Sequence, residues 1–204
     1  GFGETLYRMS KELRAQKPQE ALSFVPAVGT VSTASPQTQS NIIVDNLATA
    51  FGGRSFFTNV PVVADRAESK SRLYQSHRSE LLHQWELADA AIVGLGAPYR
   101  SSADPFSLNE ATDEYRALVA SSDIAGDILA SFFFEDGSEL PLGGAYTRNA
   151  LPLSHLRQMD RVLCIAGGSR KVRGIWSALR CGFVNCLITD SETAMGVIAL
   201  EEDG

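Results

Sequence analysis

The chain has 204 residues, of which 44% are hydrophobic and 21% charged, and its formal net charge is −6. This composition is that of an ordinary globular protein, and no apolar run approaches the roughly 20 residues of a membrane span. An acidic chain argues against direct binding of nucleic acid, which requires a basic face, although a local site can still bind a small anion.

Helices and strands alternate through the first half of the chain. The apolar spacing predicts a helix over residues 4–16, a strand over 22–28, a helix from about 39 that ends at a Gly-Gly pair, a strand over 56–63 and a helix over 68–87. We expect Pro61 to interrupt the second strand. Leu73, Leu81, Leu82 and Trp85 are predicted to form the inner face of the third helix.

The second half continues the alternation. It comprises a strand over 90–95, a segment without clear period over 99–109, a short helix over 110–120, an extended stretch over 124–134, a strand over 162–166, a helix from about Lys171, a strand over 184–188 and a helix capped by Asp190. Glu135-Asp136-Gly137 predicts a hairpin turn, which makes residues 132–142 a small antiparallel insertion.

Several of these strands are uniformly apolar, which is typical of a parallel sheet covered on both faces. Together with the alternation of strands and helices, this predicts a doubly wound α/β fold with a mostly parallel sheet. The sequence contains no internal repeat and no low-complexity linker, so we expect one domain over residues 1–204. The start on Gly1-Phe2-Gly3 leads us to expect that this domain belongs to a longer protein.

The cysteines and histidines predict neither a disulfide nor a metal site. Cys164, Cys181 and Cys186 are an odd number without metal-like pairing. Cys164 and Cys186 fall in apolar runs, which predicts core cysteines in a reducing cytoplasm. The three histidines are scattered, with no Glu or Cys at ligand spacing.

The stretch from Gly167 to Lys171 is a candidate anion site. Gly167 and Gly168 follow the buried strand, and the next helix begins around Lys171. Backbone N–H groups at a helix N-terminus favour an anion, and Arg170 and Lys171 add positive charge. Two alternatives stay open: a phosphate site, or a tight turn that needs glycine only for its backbone angles.

Further candidates lie where ligands bind in such sheets, beyond the carboxyl ends of the strands. The Gly3-Glu4-Thr5 segment opens a helix, and the Thr5 hydroxyl can donate to a phosphate oxygen. The amides of Gln39-Ser40-Asn41 could bind hydroxyls or cap the second helix. Gly94-Leu95-Gly96 is a turn or a site. Asp127 lies between apolar residues and therefore needs a partner, either a protein donor or ligand hydroxyls.

The sequence predicts no catalytic residue and no cofactor. Motifs such as HExxH, GxSxG and a nucleotide P-loop are absent, and no nucleophile–base pair is apparent. A Schiff base at Lys171 is chemically possible with a carbonyl ligand.

The motifs resemble, in order, those of the sugar-binding domain of SorC/DeoR-type bacterial transcriptional regulators. The residues that carry this resemblance are Gly3-Glu4-Thr5-Leu6, Gln39-Ser40-Asn41 with Leu47-Ala48, Gly94-Leu95-Gly96, Gly126-Asp127-Ile128 with Phe133, Arg148 with Leu156-Arg157, Ala166-Gly167-Gly168 with Lys171, Ile175 and Ala178-Leu179, and Leu187-Ile188-Thr189-Asp190 with Thr193-Ala194.

The resemblance implies a Rossmann-like fold similar to that of the sugar-phosphate isomerases and deaminases. It also implies a ligand sensor and not an enzyme, with a phosphorylated sugar as effector. Family members carry an N-terminal helix-turn-helix that binds an operator, and they form homo-oligomers such as dimers or tetramers. The alternative is an isomerase or deaminase of the same fold, for which Asp127 and Glu4 are the only plausible acid–base pair.

Carried over to this sequence, the resemblance implies that Gly3 and Thr5 hold the phosphate together with Lys171. Gln39 and Asp127 would bind sugar hydroxyls. The full set of ligand-binding residues expected is Gly3, Glu4, Thr5, Gln39, Asn41, Gly96, Asp127, Gly167, Gly168 and Lys171. Glu4 departs from the family pattern, and a carboxylate there would have to face a hydroxyl or pair with Arg170 or Lys171. Val28 is a second departure, because the equivalent loop can carry an arginine in bisphosphate-binding relatives, and the absence of that arginine favours a monophosphate.

Overall fold

A computed structural model describes residues 1–31, 36–97 and 113–203 of the chain. The chain falls into two units, unit 1 (Gly1–Ala88 and Leu142–Ala150) and unit 2 (Asp89–Pro141 and Leu151–Gly204). The predicted aperiodic segment over 99–109 and the start of the predicted helix at 110 lie outside the described residues. That residues 1–204 act as one domain stays a prediction.

Helices and strands follow one another so that one to three strands lie between successive α-helices of the described part of the chain. In chain order they are α1 (Glu4–Glu12), β1 (Ser23–Phe24), α2 (Ser40–Phe51), β2 (Arg54–Ser55), β3 (Val63–Asp65), α3 (Arg72–Glu86), β4 (Ala91–Val93), α4 (Asp113–Ser121), β5 (Gly126–Ile128), β6 (Ser131–Phe133), β7 (Tyr146–Arg148), α5 (Leu153–Leu156), β8 (Val162–Ile165), α6 (Val172–Arg180), β9 (Cys186–Ile188) and α7 (Ser191–Asp203).

In unit 1, β1 pairs with β2 in parallel and β3 pairs with β7 antiparallel. The predicted strands 22–28 and 56–63 are each wrong in extent. β1 has only two residues, and the second run contains only an isolated bridge of Pro61 with Thr30 before β3 begins at Val63. Pro26 and Pro61 lack the N–H that a continuous ladder needs, so the long apolar runs around them do not form long strands.

The ends of α1 and α2 in unit 1 are set by the backbone conformation of the residue after each helix. α1 ends at Glu12, earlier than predicted, because Leu13 is extended and Ala15 N–H donates to the Ala50 carbonyl at 3.1 Å. α2 ends as predicted at Gly52, which has the left-handed φ of 69° that favours glycine. In α3 the predicted inner residue Leu73 is wrong, since it is 68% exposed; the neighbouring Tyr74 is buried instead.

Unit 2 contains a three-stranded parallel sheet in the order β4-β8-β9. Val93 of β4 lies opposite Cys164, and Cys164 lies opposite Leu187 of β9. Helix α6 forms the crossover between β8 and β9, as parallel neighbours require. The mixed α/β class and a parallel sheet are therefore confirmed. Cys186 lies on the edge strand and is exposed, so the prediction that it is a core cysteine was wrong.

The stretch predicted as extended over 124–134 is an antiparallel hairpin of β5 and β6. Its turn, Leu129-Ala130, has φ values of 54° and 62°. Neither residue type is favoured at positive φ, so composition does not reveal this turn. The predicted turn at Glu135–Gly137 is also present, closed by a 2.9 Å bond from Phe134 N–H to the Ser138 carbonyl.

Candidate functional site

Both glycines of the Gly167-Gly168 pair are required by the structure around them. Gly168 has φ 109° and ψ 141°, a conformation that side chains rarely adopt. A Cβ on Gly167 would lie 2.3 Å from Oδ2 of Asp190. The pair joins the carboxyl end of β8 to a short 3₁₀ turn, Ser169–Lys171, from which α6 continues. The loop therefore needs glycine at both positions for structural reasons. This need neither supports nor excludes the alternative interpretation of the loop as a phosphate site.

The N-terminus of α7 holds this loop in place. Asp190 accepts from Thr193 N–H at 2.8 Å and from the Thr193 hydroxyl at 2.9 Å, which confirms Asp190 as the helix cap. The Thr193 hydroxyl in turn accepts from Gly168 N–H at 2.7 Å. Hydrogen bonds from the Thr193 N–H and hydroxyl lower the pKa of Asp190. The contact of Asp190 with Gly167 was missed, although the Asp-x-x-Thr capping spacing was visible in the sequence.

Lys171 supplies one of the two positive charges of the loop, beside Arg170. Its side chain is half-buried. Burial raises the pKa of the Cys164 thiol in β8 to about 12, and the nearby charge of Lys171 opposes that increase. Lys171 forms no ion pair with any residue that the structure describes. A cation held near the carboxyl end of a strand, at the start of a helix, is suited to bind an anion.

Gly96 and Asp127 lie against each other, as two of the predicted site residues in unit 2. Gly96 N–H donates to the Asp127 carbonyl at 2.9 Å, and Asp127 N–H donates to the Gly96 carbonyl at 3.2 Å. Asp127 is 6% exposed, and a Cβ on residue 96 would lie within 1.9 Å of its Oδ1. Glycine at 96 is thus needed for the carboxylate to occupy this position.

These two parts of unit 2 lie at the same edge of the parallel sheet. β4 and β8 are adjacent and parallel, with Val93 opposite Cys164. Gly96 follows Val93 by three residues, and Gly167 follows Cys164 by the same number. Neighbouring strands are about 4.8 Å apart, so the register brings the Gly96–Asp127 pair and the Gly167–Lys171 loop to neighbouring strand ends.

In unit 1, Gly3 opens α1 with φ 108° and ψ 166°, close to the conformation of Gly168. The first amides of α1 have no intrahelical acceptor, and Thr5 beside them is exposed. Glu4 pairs with Arg8, one turn along the same helix, at 2.6 Å. The pairing with Arg8 was not among the alternatives expected for Glu4.

The amides of Gln39 and Asn41 bind the backbone of unit 1. Gln39 donates to the Val31 carbonyl and accepts from Val31 N–H at 3.2 Å. Asn41 donates to the Thr58 carbonyl at 2.8 Å and accepts from Thr58 N–H at 3.1 Å. Gln39 precedes α2 but makes no side-chain cap bond. Both amides thus hold loop backbone, an arrangement that neither predicted alternative included, and their role in ligand binding stays a prediction.

The described part of the chain contains neither a membrane-spanning helix nor a cluster of metal-binding side chains. No helix among the described residues is both long and apolar enough to cross a membrane. Within residues 1–31, 36–97 and 113–203, no group of three or more His, Cys, Asp or Glu side chains could hold a metal ion.

The chain is similar to known proteins over nearly its whole length. A family model described as "Putative sugar-binding domain" matches residues 1–199. The deoxyribonucleoside regulator of Bacillus subtilis is 28% identical over 198 residues, which cover 97% of this chain and 62% of the relative. The sorbitol operon regulator of Klebsiella pneumoniae is 26% identical over 198 residues, covering 95% and 62%. The chain thus spans about three fifths of the length of these relatives.

A similar fold has been solved. The crystal structure of a transcriptional regulator from Streptococcus pneumoniae superposes with a TM-score of 0.83 at 27% identity. The superposition covers 100% of this chain and 76% of the other.

Proposed function

The chain belongs to the family of sugar-binding domains, and we propose that it is the ligand-sensing domain of a bacterial transcriptional regulator. In this function residues 1–204 form the effector-binding domain and bind a phosphorylated sugar. The bound sugar changes the affinity of the full-length protein for its operator, which a helix-turn-helix outside this chain contacts. Such a regulator works in the cytoplasm as a homo-oligomer and does not turn its ligand over.

The observation that carries this proposal is the Lys171 ammonium, which has no carboxylate partner among the described residues. It lies half-buried at the start of a helix that follows two glycines. A phosphate would compensate its charge and would also accept from backbone N–H groups there. Since Asp190 is ionised at neutral pH and lies beside Gly167, the phosphate approaches from the Ser169–Lys171 side of the loop.

Asp127 is the proposed group for the sugar end of the ligand. Its carboxylate accepts hydrogen bonds from hydroxyls, and Gly96 leaves room for it at the neighbouring strand end. In unit 1, the proposed ligand-binding residues are Gly3, Glu4 and Thr5 at the start of α1, with Gln39 and Asn41 at the start of α2. The conformation of Gly3, shared with Gly168, supports an exposed helix N-terminus as an anion site there too.

A Rossmann-like fold similar to that of the sugar-phosphate isomerases and deaminases is part of this proposal. The parallel order β4-β8-β9 in unit 2 supports it. The names of the relatives as operon and deoxyribonucleoside regulators support a sensor over an enzyme.

Calorimetric titration with a panel of sugars tests the proposed function. The panel contains sorbitol 6-phosphate, 2-deoxyribose 5-phosphate, glucose 6-phosphate and fructose 6-phosphate, each with its unphosphorylated parent. We expect at least one phosphorylated sugar to bind and its parent to bind much more weakly. If no phosphorylated sugar bound, the proposal would be wrong. The bound ligand, recovered and analysed by NMR, should be unchanged, whereas an isomerase or deaminase would convert it.

A further inference from the structure

Arg173 lies two residues after Lys171, in the first turn of α6, and all three of its guanidinium nitrogens are bound. Nη1 and Nη2 donate to the two carboxylate oxygens of Asp123 at 2.6 and 2.9 Å. Nε donates to Glu135 Oε2 at 2.7 Å. The pair with Asp123 is bidentate, a geometry that fixes direction as well as distance.

The two carboxylates come from opposite ends of the β5–β6 hairpin. Asp123 precedes β5, and Glu135 follows β6. One guanidinium therefore ties both ends of the hairpin to α6. We call the ion pairs of Arg173 with Asp123 and Glu135 the Arg173 clamp. Since β5 carries Asp127 and α6 continues from the Gly167–Lys171 loop, the clamp joins the Asp127 part of the proposed ligand site to the loop.

Contacts further along α6 support the same attachment. The Ser177 hydroxyl donates to the Glu135 carbonyl at 3.3 Å. A Cβ on Gly174 would lie 2.6 Å from the Ala125 carbonyl oxygen, so the helix axis lies close to the backbone that leads into β5. Helix α6 and the β5–β6 hairpin are therefore in close contact where the Arg173 clamp joins them. The clamp sets the direction and the spacing of α6 relative to the hairpin.

The exposure of the clamp argues against a main role in global stability. The side chains are 41% exposed for Arg173, 81% for Asp123 and 46% for Glu135. Exposed ion pairs contribute little to the free energy of unfolding. What a bidentate pair at a tight junction does contribute is a defined geometry.

We propose that Arg173 is a positioning residue that sets the spacing between the Lys171 loop and Asp127, and so tunes this domain for ligands that reach both. This inference rests on the proposed function, in which the phosphate binds at Lys171 and the sugar hydroxyls at Asp127. A ligand that contacts only the loop does not depend on the spacing. Inorganic phosphate is such a ligand, whereas a sugar phosphate spans both groups.

The test compares the two ligands in Arg173→Met, with Arg180→Met on the same helix as control. Dissociation constants for inorganic phosphate and for the tightest-binding sugar phosphate of the panel are measured by NMR titration and calorimetry. We expect Arg173→Met to weaken the sugar phosphate on the order of tenfold while inorganic phosphate changes less than about twofold. Arg180→Met should alter neither.

Equal weakening of both ligands would overturn the inference, because the clamp would then support the loop itself. No change for either ligand would overturn it as well. If Arg173→Met did not fold, the dissociation constants for inorganic phosphate and for the sugar phosphate would be measured in Asp123→Asn and Glu135→Gln. Each of these variants removes one carboxylate of the clamp. If the unmodified domain bound no phosphorylated sugar, the proposed function would fail first, and this inference with it.

Discussion

The close approach of α6 to the backbone before β5 leads to a prediction against the usual propensity rule. Replacing glycine by alanine inside a helix ordinarily stabilises a protein by up to about 1 kcal/mol. At Gly174 the added Cβ would lie 2.6 Å from the Ala125 carbonyl oxygen, whereas ordinary contact begins at 3.4 Å. We therefore expect Gly174→Ala to destabilise unit 2.

The magnitude follows from what can move. The Ala125 carbonyl is backbone, and Ala125 N–H is bound to the Phe133 carbonyl at 2.9 Å, so the oxygen cannot rotate away as a side chain would. Overpacking of this kind costs about 1–3 kcal/mol, and the gain in helix propensity offsets about 1 kcal/mol of it. Because the contact is with backbone that cannot move aside, we expect the upper end of that range, so the net loss should be about 2 kcal/mol, which lowers the melting temperature by about 4–8 °C for a chain of this size.

The two tryptophans allow the units to be followed separately, since Trp85 lies in unit 1 and Trp176 in unit 2. Thermal unfolding is monitored by ¹⁹F NMR of protein labelled with 5-fluorotryptophan. Gly196→Ala in α7 is the matched control, because the nearest atoms to its Cβ would belong to the Val172 side chain, at 3.0 Å, and not to backbone. We expect the Trp176 midpoint to fall in Gly174→Ala and to stay unchanged or rise in Gly196→Ala, where the gain in helix propensity is not opposed by backbone. A Gly174→Ala variant as stable as the parent would refute the steric argument.

Three further predictions concern the Gly167–Lys171 loop. Lys171→Ala should weaken a phosphorylated sugar on the order of tenfold or more and its unphosphorylated parent hardly at all, measured by calorimetry with Arg170→Ala as control. Gly168→Ala should cost about 1–3 kcal/mol of strain, because φ is 109° although space for a Cβ is open. The same variant should weaken the binding of inorganic phosphate in NMR titrations. Gly182→Ala, at φ 72°, should leave phosphate binding unchanged. Because the folded-state pKa of Asp190 is lowered, its stabilisation is present above the unfolded pKa of about 4 and lost as pH falls through the folded value, so the stability difference between the parent and Asp190→Asn should shrink in acid.

Each of these three predictions is contradicted by a different result. If Lys171→Ala lost the same affinity for the phosphorylated sugar and for its unphosphorylated parent, Lys171 would not be a phosphate-binding residue. A Gly168→Ala variant with unchanged stability would show that the loop relaxes to an ordinary φ. If urea unfolding gave the same difference between the parent and Asp190→Asn at pH 7 and at pH 3, the carboxylate of Asp190 would not be the stabilising group.

The sequence by itself determined those features whose causes are local. The glycine that ends α2, the Asp190 cap of α7, the strand β8 and the turn at Glu135–Gly137 each depend on a few consecutive residues, and all four were predicted, although only alternate residues of β8 are fully buried. The ordered motifs also determined the family, and the match of residues 1–199 to the sugar-binding domain family confirms that resemblance. Which sugar phosphate binds, and with which residues, stays a prediction.

Only the tertiary structure decided which distant groups meet. Asn41 binds the backbone of Thr58, Asp190 contacts Gly167, and Arg173 joins Asp123 to Glu135. These contacts depend on strand register and on the direction in which helices pack, which no local pattern encodes. The buried turn at Leu129-Ala130 is a similar case, because tertiary packing holds two ordinary residues at positive φ where composition indicates continuous strand.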